Sequence, residues 1–225
     1  MQQLLLDIQP HAAQDFAHFV PGNGNEALDA LRTLVQHRGG EPLIYLWGAP
    51  GSGKSHLLRA CVELAREQGD SAQLLSAGDA LAPEHPAWFT AIDDVHTLDA
   101  DSQIRLFQRI NQAREGHGRL VCAGPVAPRL LPLRADLTTR LGWHLVYQLH
   151  PLADSDKVAA LTGWALARGF RLSGELVDYL MRHWRRDLPS LIQILEQLDR
   201  HSLQDKRPVT LPLLREILAS QSRPQ

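Results

Sequence analysis

Gly48-Ala49-Pro50-Gly51-Ser52-Gly53-Lys54-Ser55 is the stretch on which the reading of this chain turns. It matches the glycine-rich phosphate-binding pattern in full. The apolar run from Pro42 to Trp47 precedes it and suits a buried strand. Lys54 to Gln68 follows it, with Leu57, Leu58, Cys61, Val62 and Ala65 along one helical face, and Gly69 stops that helix. In a strand–loop–helix, Gly51 and Gly53 let the backbone wrap closely around phosphate oxygens with its N–H groups turned inward. The helix that follows aims its N-terminus at the same charge. Lys54 then reaches the outer phosphates and Ser55 holds Mg²⁺. The chain has only three lysines, Lys54, Lys157 and Lys206, against 20 arginines. The bland alternative is a fortuitous glycine-rich turn, and the flanking strand and helix argue against it.

Asp93-Asp94 is the second element, 39 residues after Lys54 and at the end of the apolar run from Trp88 to Ile92. A carboxylate there falls at the C-terminal edge of a parallel sheet, beside the phosphate loop. Asp93 is the candidate anchor for magnesium, directly or through water. Asp94 is the candidate general base that polarises an attacking water. A solvated pair of turn residues is the alternative. Two arginines matter next. Arg140 follows Asp136-Leu-Thr-Thr139, where it is placed to reach a phosphate held by a neighbouring subunit. Arg186 precedes the third helix of the C-terminal region, where it is placed to fold over the same chain's nucleotide; Arg185 competes for that position.

Around these motifs the period of the apolar residues keeps changing. Glu26 to His37 reads as a helix. Gln73 to Ser76, Trp88 to Ile92, Arg119 to Ala123 and His144 to Leu149 read as strands. Asp101 to Glu115 reads as a helix with Ile104, Phe107 and Ile110 inward, and a short helix falls within Leu133 to Leu141. Alternating strands and helices predict a three-layer α/β core with a mainly parallel sheet, up to about residue 150. The remainder is all-α. Asp154 to Arg168 ends at Gly169, Ser173 starts a helix with Leu176, Val177 and Leu180 inward, and Leu188 to Leu203 carries the stripe Leu191, Ile194, Leu195 and Leu198. Leu211 to Leu218 is a short fourth. The expected organisation is a tail over residues 1–10, an α/β domain over 11–150 and a helical domain over 151–225.

The 225 residues carry 23 basic and 25 acidic side chains, a net charge of −2, and are 44% hydrophobic. That composition excludes general disorder and makes a poor non-specific magnet for nucleic acid. Residues 181–225 hold eight basic and five acidic side chains, so the rest is net negative. Cys61 and Cys122 sit in apolar runs and read as buried thiols of a reducing compartment rather than a disulfide framework. No run reaches the roughly 20 apolar residues of a membrane helix, and the N-terminus has no basic stretch ahead of its leucines, so a cytoplasmic protein is expected.

These motifs together resemble the AAA+ ATPases, and specifically the nucleotide-binding domain of the DnaA-like replication initiators. Within that family the chain is most similar to the short homologues that inactivate the initiator once replication has started. The resemblance covers about residues 15–218. Phe19-Val20-Pro-Gly-Asn23 resembles the family's segment before the first core helix, which implies that Phe19 and Val20 contact the adenine. Leu46 to Leu58 resembles its phosphate loop and helix start, which adds Gly48, Pro50, Ser52 and His56 to Gly51, Gly53, Lys54 and Ser55 as nucleotide-binding residues. Ile92-Asp93-Asp94 resembles its acidic strand end. Asp136 to Trp143 resembles the segment carrying the arginine finger, which gives that role to Arg140. Pro151 to Lys157 resembles the entry to the helical lid. Arg186-Asp-Leu188 resembles the lid segment whose arginine senses nucleotide, which favours Arg186 over Arg185. The implied fold is an AAA+ P-loop core with a five-stranded parallel sheet and a small all-α lid. The implied cofactors are ADP or ATP with Mg²⁺, ADP being favoured in the active regulator.

The N-terminus fits the same branch. Gln3-Leu4-Leu-Leu6-Asp7-Ile8 resembles the glutamine-led peptide with which those regulators bind the DNA polymerase III sliding clamp, its β subunit. An extended segment there sets Leu6 and Ile8 into an apolar cleft while Gln3 hydrogen-bonds nearby. Asp7 departs from the common pattern, Gln2 offers a second register, and Leu4 to Ile8 packing on the domain is the alternative. The resemblance implies a regulator that, bound to nucleotide and to the DNA-loaded clamp, stimulates ATP hydrolysis on the DnaA initiator, meets DNA only through the clamp and has the potential to form a homo-oligomer. Weak intrinsic ATPase at most is implied, because Cys122-Ala-Gly-Pro125 stands where the family has a Ser or Thr and then an acid. No room is expected for the initiator's helix-turn-helix domain. The rivals are a clamp-tethered adaptor without hydrolysis stimulation, a DnaC-like helicase loader and a small-molecule P-loop kinase.

Overall fold

A computed structural model describes residues 16, 19, 25–37, 39–76, 79, 87–185, 187–205 and 207–221. The chain divides into two compact units that part between Pro151 and Leu152. In the first unit the strands are β1 (Leu43–Trp47), β2 (Ala72–Leu75), β3 (Phe89–Ile92), β4 (Arg119–Gly124) and β5 (Leu145–Gln148). Its helices are α1 (Asn25–Gln36), α2 (Lys54–Glu67), α3 (Ala100–Arg114) and α4 (Ala135–Gly142). The strands make one five-stranded sheet in the order β2-β3-β4-β1-β5, parallel at every pairing.

A parallel pair needs a crossover, and the crossovers lay helices on both faces, so the central strands are apolar on both sides. The two-residue period sorts them. Ile44 and Leu46 of β1, Val121 and Ala123 of β4, and Phe89 and Ala91 of β3 share a cluster with α1 and α2, through Leu31, Leu57, Leu58 and Cys61. Leu43, Tyr45, Leu120, Cys122 and Ile92 join the opposite cluster with Leu106 and Ile110 of α3 and Leu137 and Leu141 of α4. Both cysteines are buried free thiols, and burial pushes their pKa values up. They are structural, not reactive.

The second unit is a four-helix lid: α5 (Asp154–Ala167), α6 (Gly174–His183), α7 (Leu188–Asp205) and α8 (Leu211–Gln221). Gly169 ends α5 with a left-handed φ of +84°. Ser173 caps α6, its hydroxyl oxygen accepting from the Leu176 N–H at 3.3 Å. Leu161, Leu176, Leu180, Leu191, Ile194, Leu195 and Leu198 meet in the lid's own core with Leu213 and Leu214.

The helices and strands lie within one or two residues of their expected places, except that α8 runs three residues past Leu218 to Gln221. The inward face of α3 is a correction. Ile104, expected inward, is 41% exposed, and the buried residues are Ser102, Leu106, Arg109, Ile110 and Ala113. Two residues turn a helix by about 200°, so Ile104 and Leu106 lie on opposite sides. Phe107 is half-buried against the cluster. A 3₁₀ turn over Val95–Thr97, which periodicity did not signal, follows β3. Residues 1–10 lie outside the described residues, as do residues 15–24 apart from Phe16 and Phe19. Among the described residues no helix is long and apolar enough to cross a membrane.

Leu195 is fully buried in the lid core. Leu195→Ala is expected to lower the lid's stability by about 2–5 kcal/mol, read as a lower urea midpoint for the loss of helical circular dichroism. A midpoint unchanged from the parent would contradict the packing described.

Candidate nucleotide site

The register of the sheet decides which chain ends share an edge. Trp47 lies opposite Gly124, and Ile92 lies opposite Cys122. The C-terminal ends of β1, β4 and β3 therefore come out side by side, the edge where open α/β sheets bind ligands. Residues 48–53 leave that edge from β1 and turn directly into α2. Gly48 has no room for a side chain, since a Cβ there would run into the Leu149 carbonyl oxygen and, at 2.9 Å, into Ser52 Oγ. Gly51 and Gly53 have φ of +78° and +94°, conformations that L side chains avoid. A Cβ on Gly53 would also meet Phe19 Cε2 at 2.6 Å. The Phe19 ring packs over the loop and stands 5.5 Å, centroid to centroid, from His56.

No side chain caps the N-terminus of α2. Its first-turn N–H groups and positive dipole end therefore suit an anion. Lys54 Nζ donates to the loop's own carbonyl oxygens, Gly48 O at 2.7 Å and Ala49 O at 3.0 Å, with Ser52 Oγ at 3.5 Å. Partial burial pulls the Lys54 pKa below the ordinary lysine value, and the Asp93 and Asp94 carboxylates pull it back up. A phosphate at the loop would act in the same direction as those carboxylates and favour the ammonium form.

Ser55 Oγ donates to Asp93 Oδ2 at 2.5 Å. A hydroxyl and a carboxylate so close form one side of a site for a hard cation that takes its remaining oxygens from phosphate and water, as Mg²⁺ does. Among the described residues no group of three or more His, Cys, Asp or Glu is placed to hold a metal alone; the donor set here fits a metal that arrives with its nucleotide. Asp93 is fixed from both sides. Its N–H donates to Leu75 O at 2.9 Å, and its Oδ1 accepts from the Asp94 N–H at 2.9 Å.

Asp94 has a left-handed backbone, φ 48° and ψ 42°, and is the one non-glycine residue with positive φ among those described. Such conformations persist where the surroundings enforce them. Here the Asp94 carbonyl accepts from both the N–H and the hydroxyl of Thr97, each at 2.9 Å. The carboxylate is exposed, with His96 Nδ1 3.9 Å from Oδ1. His96 escaped the sequence reading because nothing in its spacing ties it to Asp94.

At the end of β4, Gly124 leaves the edge without a side chain. Tyr45 explains it: its hydroxyl lies where a Gly124 Cβ would be and donates to the Val126 carbonyl at 2.9 Å. The gap noted in Cys122-Ala-Gly-Pro125 is therefore filled from β1, by a hydroxyl already committed to the backbone.

Arg140 does not join this group. It lies on α4, in the layer packed with α3. Its guanidinium carbon is 4.6 Å from the centroid of Trp143 and 5.1 Å from that of Phe107. Its Nη1 is buried with no hydrogen-bond partner. Gly48, Pro50, Gly51, Ser52, Gly53, Lys54, Ser55, His56, Phe19, Asp93 and Asp94 are thus gathered at one edge. Val20, Arg186 and the clamp-peptide residues Gln3, Leu4, Leu6, Asp7 and Ile8 lie outside the described residues.

Residues 154–218 match the family model for the lid domain of Hda. Domain III of the replication initiation protein DnaA from Thermotoga maritima superposes with a TM-score of 0.78 at 20% identity, over 96% of this chain and 100% of that one. AMPPCP-bound DnaA from Aquifex aeolicus gives 0.70 at 19% identity, over 82% of this chain and 64% of that one. The Holliday junction branch migration motor RuvB of Thermotoga maritima gives 0.63 at 13%, over 87% and 67%. The chain thus spans about two thirds of the longer DnaA and RuvB chains. These likenesses show an AAA+ core fold, here followed by an Hda-type lid.

Gly124→Ser is expected to lower stability by about 1–3 kcal/mol through overpacking against Tyr45, and Tyr45→Phe by about 1 kcal/mol through the lost hydrogen bond. Combined, they should cost less than the sum, with a coupling of about 0.5 kcal/mol or more in a urea-unfolding cycle. Strict additivity would mean that Tyr45 does not occupy the space above Gly124.

Proposed function

We propose that this chain is a nucleotide-bound negative regulator of replication initiation that stimulates ATP hydrolysis on the DnaA initiator. The observation that carries the reading is the Hda-type lid following a core with an intact phosphate loop. The resident ligand in this reading is ADP, held with Mg²⁺. In this reading the loop N–H groups and Lys54 bind its phosphates, Ser55 and Asp93 face the metal, Phe19 and Val20 serve as contacts for the base, and Arg186 serves as the sensor of nucleotide. Residues 3–8 dock on the β subunit of the polymerase III clamp, so DNA is met only through the clamp, in the cytoplasm. Arg140 is then supplied in trans to the initiator's ATP, where it stabilises charge that develops on the transferring phosphoryl group.

Two features of the geometry support a regulator rather than a fast ATPase. Arg140 is stacked among side chains of α3 and α4, away from its own loop. The end of β4 offers no polar side chain beside Asp94. The second point equally suits the clamp-tethered adaptor, in which nucleotide is a structural ligand. Phosphate release from ATP-loaded initiator separates the two, measured with clamp on DNA.

Arg140→Ala should leave folding, ADP affinity and clamp binding intact and remove the stimulation, since a finger given in trans is worth roughly 10³–10⁵ in rate. Deleting residues 1–9 should remove clamp capture and, with it, clamp-dependent stimulation. Stimulation at the parent rate by Arg140→Ala protein would overturn the trans role. No stimulation by the parent chain would favour the adaptor.

A further inference from the structure

Arg140 is set against aromatic rings. Its guanidinium carbon lies over two rings, 4.6 Å from the centroid of Trp143 and 5.1 Å from that of Phe107. Its Nη1 is buried with no acceptor. Trp143 caps the C-terminus of α4 one turn after Arg140, and its N–H donates to the Arg140 carbonyl at 3.3 Å. The backbone that sets the indole is thus tied to the residue whose side chain the indole covers. Yet Trp143 is 58% exposed, a costly state for so large an apolar surface. Its ring also carries Arg114, whose guanidinium carbon is 5.5 Å from the centroid. Arg114 and Arg140 line one shallow depression of about 410 Å³ together with Asn111 and Glu115.

We infer that Trp143 is a positioning residue for Arg140: its indole face fixes the guanidinium while leaving the in-plane donors for an anionic oxygen of a partner. The chemistry favours a ring over a carboxylate for this task. A carboxylate would accept from the same in-plane N–H groups that a phosphoryl oxygen needs, and would cancel the charge. A ring attracts the cation through its face, perpendicular to those donors, and leaves the charge in place. The indole also restricts a long, flexible side chain before the partner arrives, and pre-organisation of that kind lowers the cost of reaching the transition state.

The inference rests on the trans role given to Arg140 above, and the test separates the two. In the clamp-dependent initiator ATPase, the chain is titrated to saturation with the parent, Trp143→Leu, Trp143→Phe and Arg140→Ala proteins. Trp143→Leu is expected to lower the maximal stimulated rate by about 10²-fold, the effect of misplacing a reacting group by about 1 Å, with the half-saturating concentration little changed. Trp143→Phe should restore most of that rate, because a ring face remains. A loss confined to the half-saturating concentration would make Trp143 a contact surface and overturn the inference. So would full activity of Trp143→Leu beside an inactive Arg140→Ala. Full activity of Arg140→Ala would overturn the trans role itself.

A second measurement needs no partner. The Arg140 side-chain Nε–H resonance of the parent should be shifted upfield by the ring currents and should move toward the unstructured position in Trp143→Leu. An Nε–H signal identical in the two proteins would sink the inference whatever the hydrolysis assay gives.

Discussion

The hydrogen bond from Ser55 Oγ to Asp93 Oδ2 crosses the sheet. Ser55 follows the loop out of β1, Asp93 follows β3, and β4 lies between those two strands. The bond is possible because these parallel strands run to one edge in a fixed register, Trp47 opposite Gly124 and Ile92 opposite Cys122, so that β3 stops two residues short of β4 and the chain beyond it carries Asp93 to that edge. A slip of one residue would turn every side chain of a strand to the other face. Ile44 and Leu46 would then leave α2's layer for that of α3 and α4. The apolar sorting that packs the core and the alignment that brings hydroxyl to carboxylate are therefore one constraint.

Much of this was legible in the sequence because local chemistry enforces it. The glycines at 51 and 53 stand where φ is positive, and Gly53 also stands where a Cβ would strike Phe19. The switch from period two to period 3.6 on either side of Gly48–Ser55 marked β1 and α2, and a carboxylate at the end of a buried run marked Asp93. In the lid, Leu191, Ile194, Leu195 and Leu198 repeat so regularly that the stripe and the buried face coincide.

What was not legible depends on contacts between residues far apart in the chain. Nothing about Tyr45 or Gly124 singly says that the hydroxyl of one takes the space of the other's side chain; their strands must first be paired. Phe107 likewise meets Arg140 only after α3 and α4 pack together. Trp143, by contrast, lies three residues from Arg140 at the C-terminal cap of the same helix, a spacing that puts the two side by side. The misplacement of Ile104 has a different origin. Ile104, Phe107 and Ile110 are three apart, but the face that the sheet selects runs through Leu106, Ile110 and Ala113, and single-helix periodicity does not choose between overlapping stripes.

The layering bears on how the two halves of a phosphoryl-transfer apparatus can be used. The loop, Lys54 and α2 pack with α1 on one side of the sheet; α4, with Arg140, packs with α3 on the other. A sheet filled by close-packed Leu, Ile and Val side chains does not open to let an arginine through. The rings of Phe107 and Trp143 hold that arginine on its own side, without an ion pair that would consume its charge. An arginine stacked on rings on the side opposite α2 fits the proposed role toward phosphates on another molecule. In that reading, a chain with a complete phosphate loop need not be a fast ATPase. In the proposed regulator, the loop orders the chain around its own nucleotide while the arginine acts on a different one.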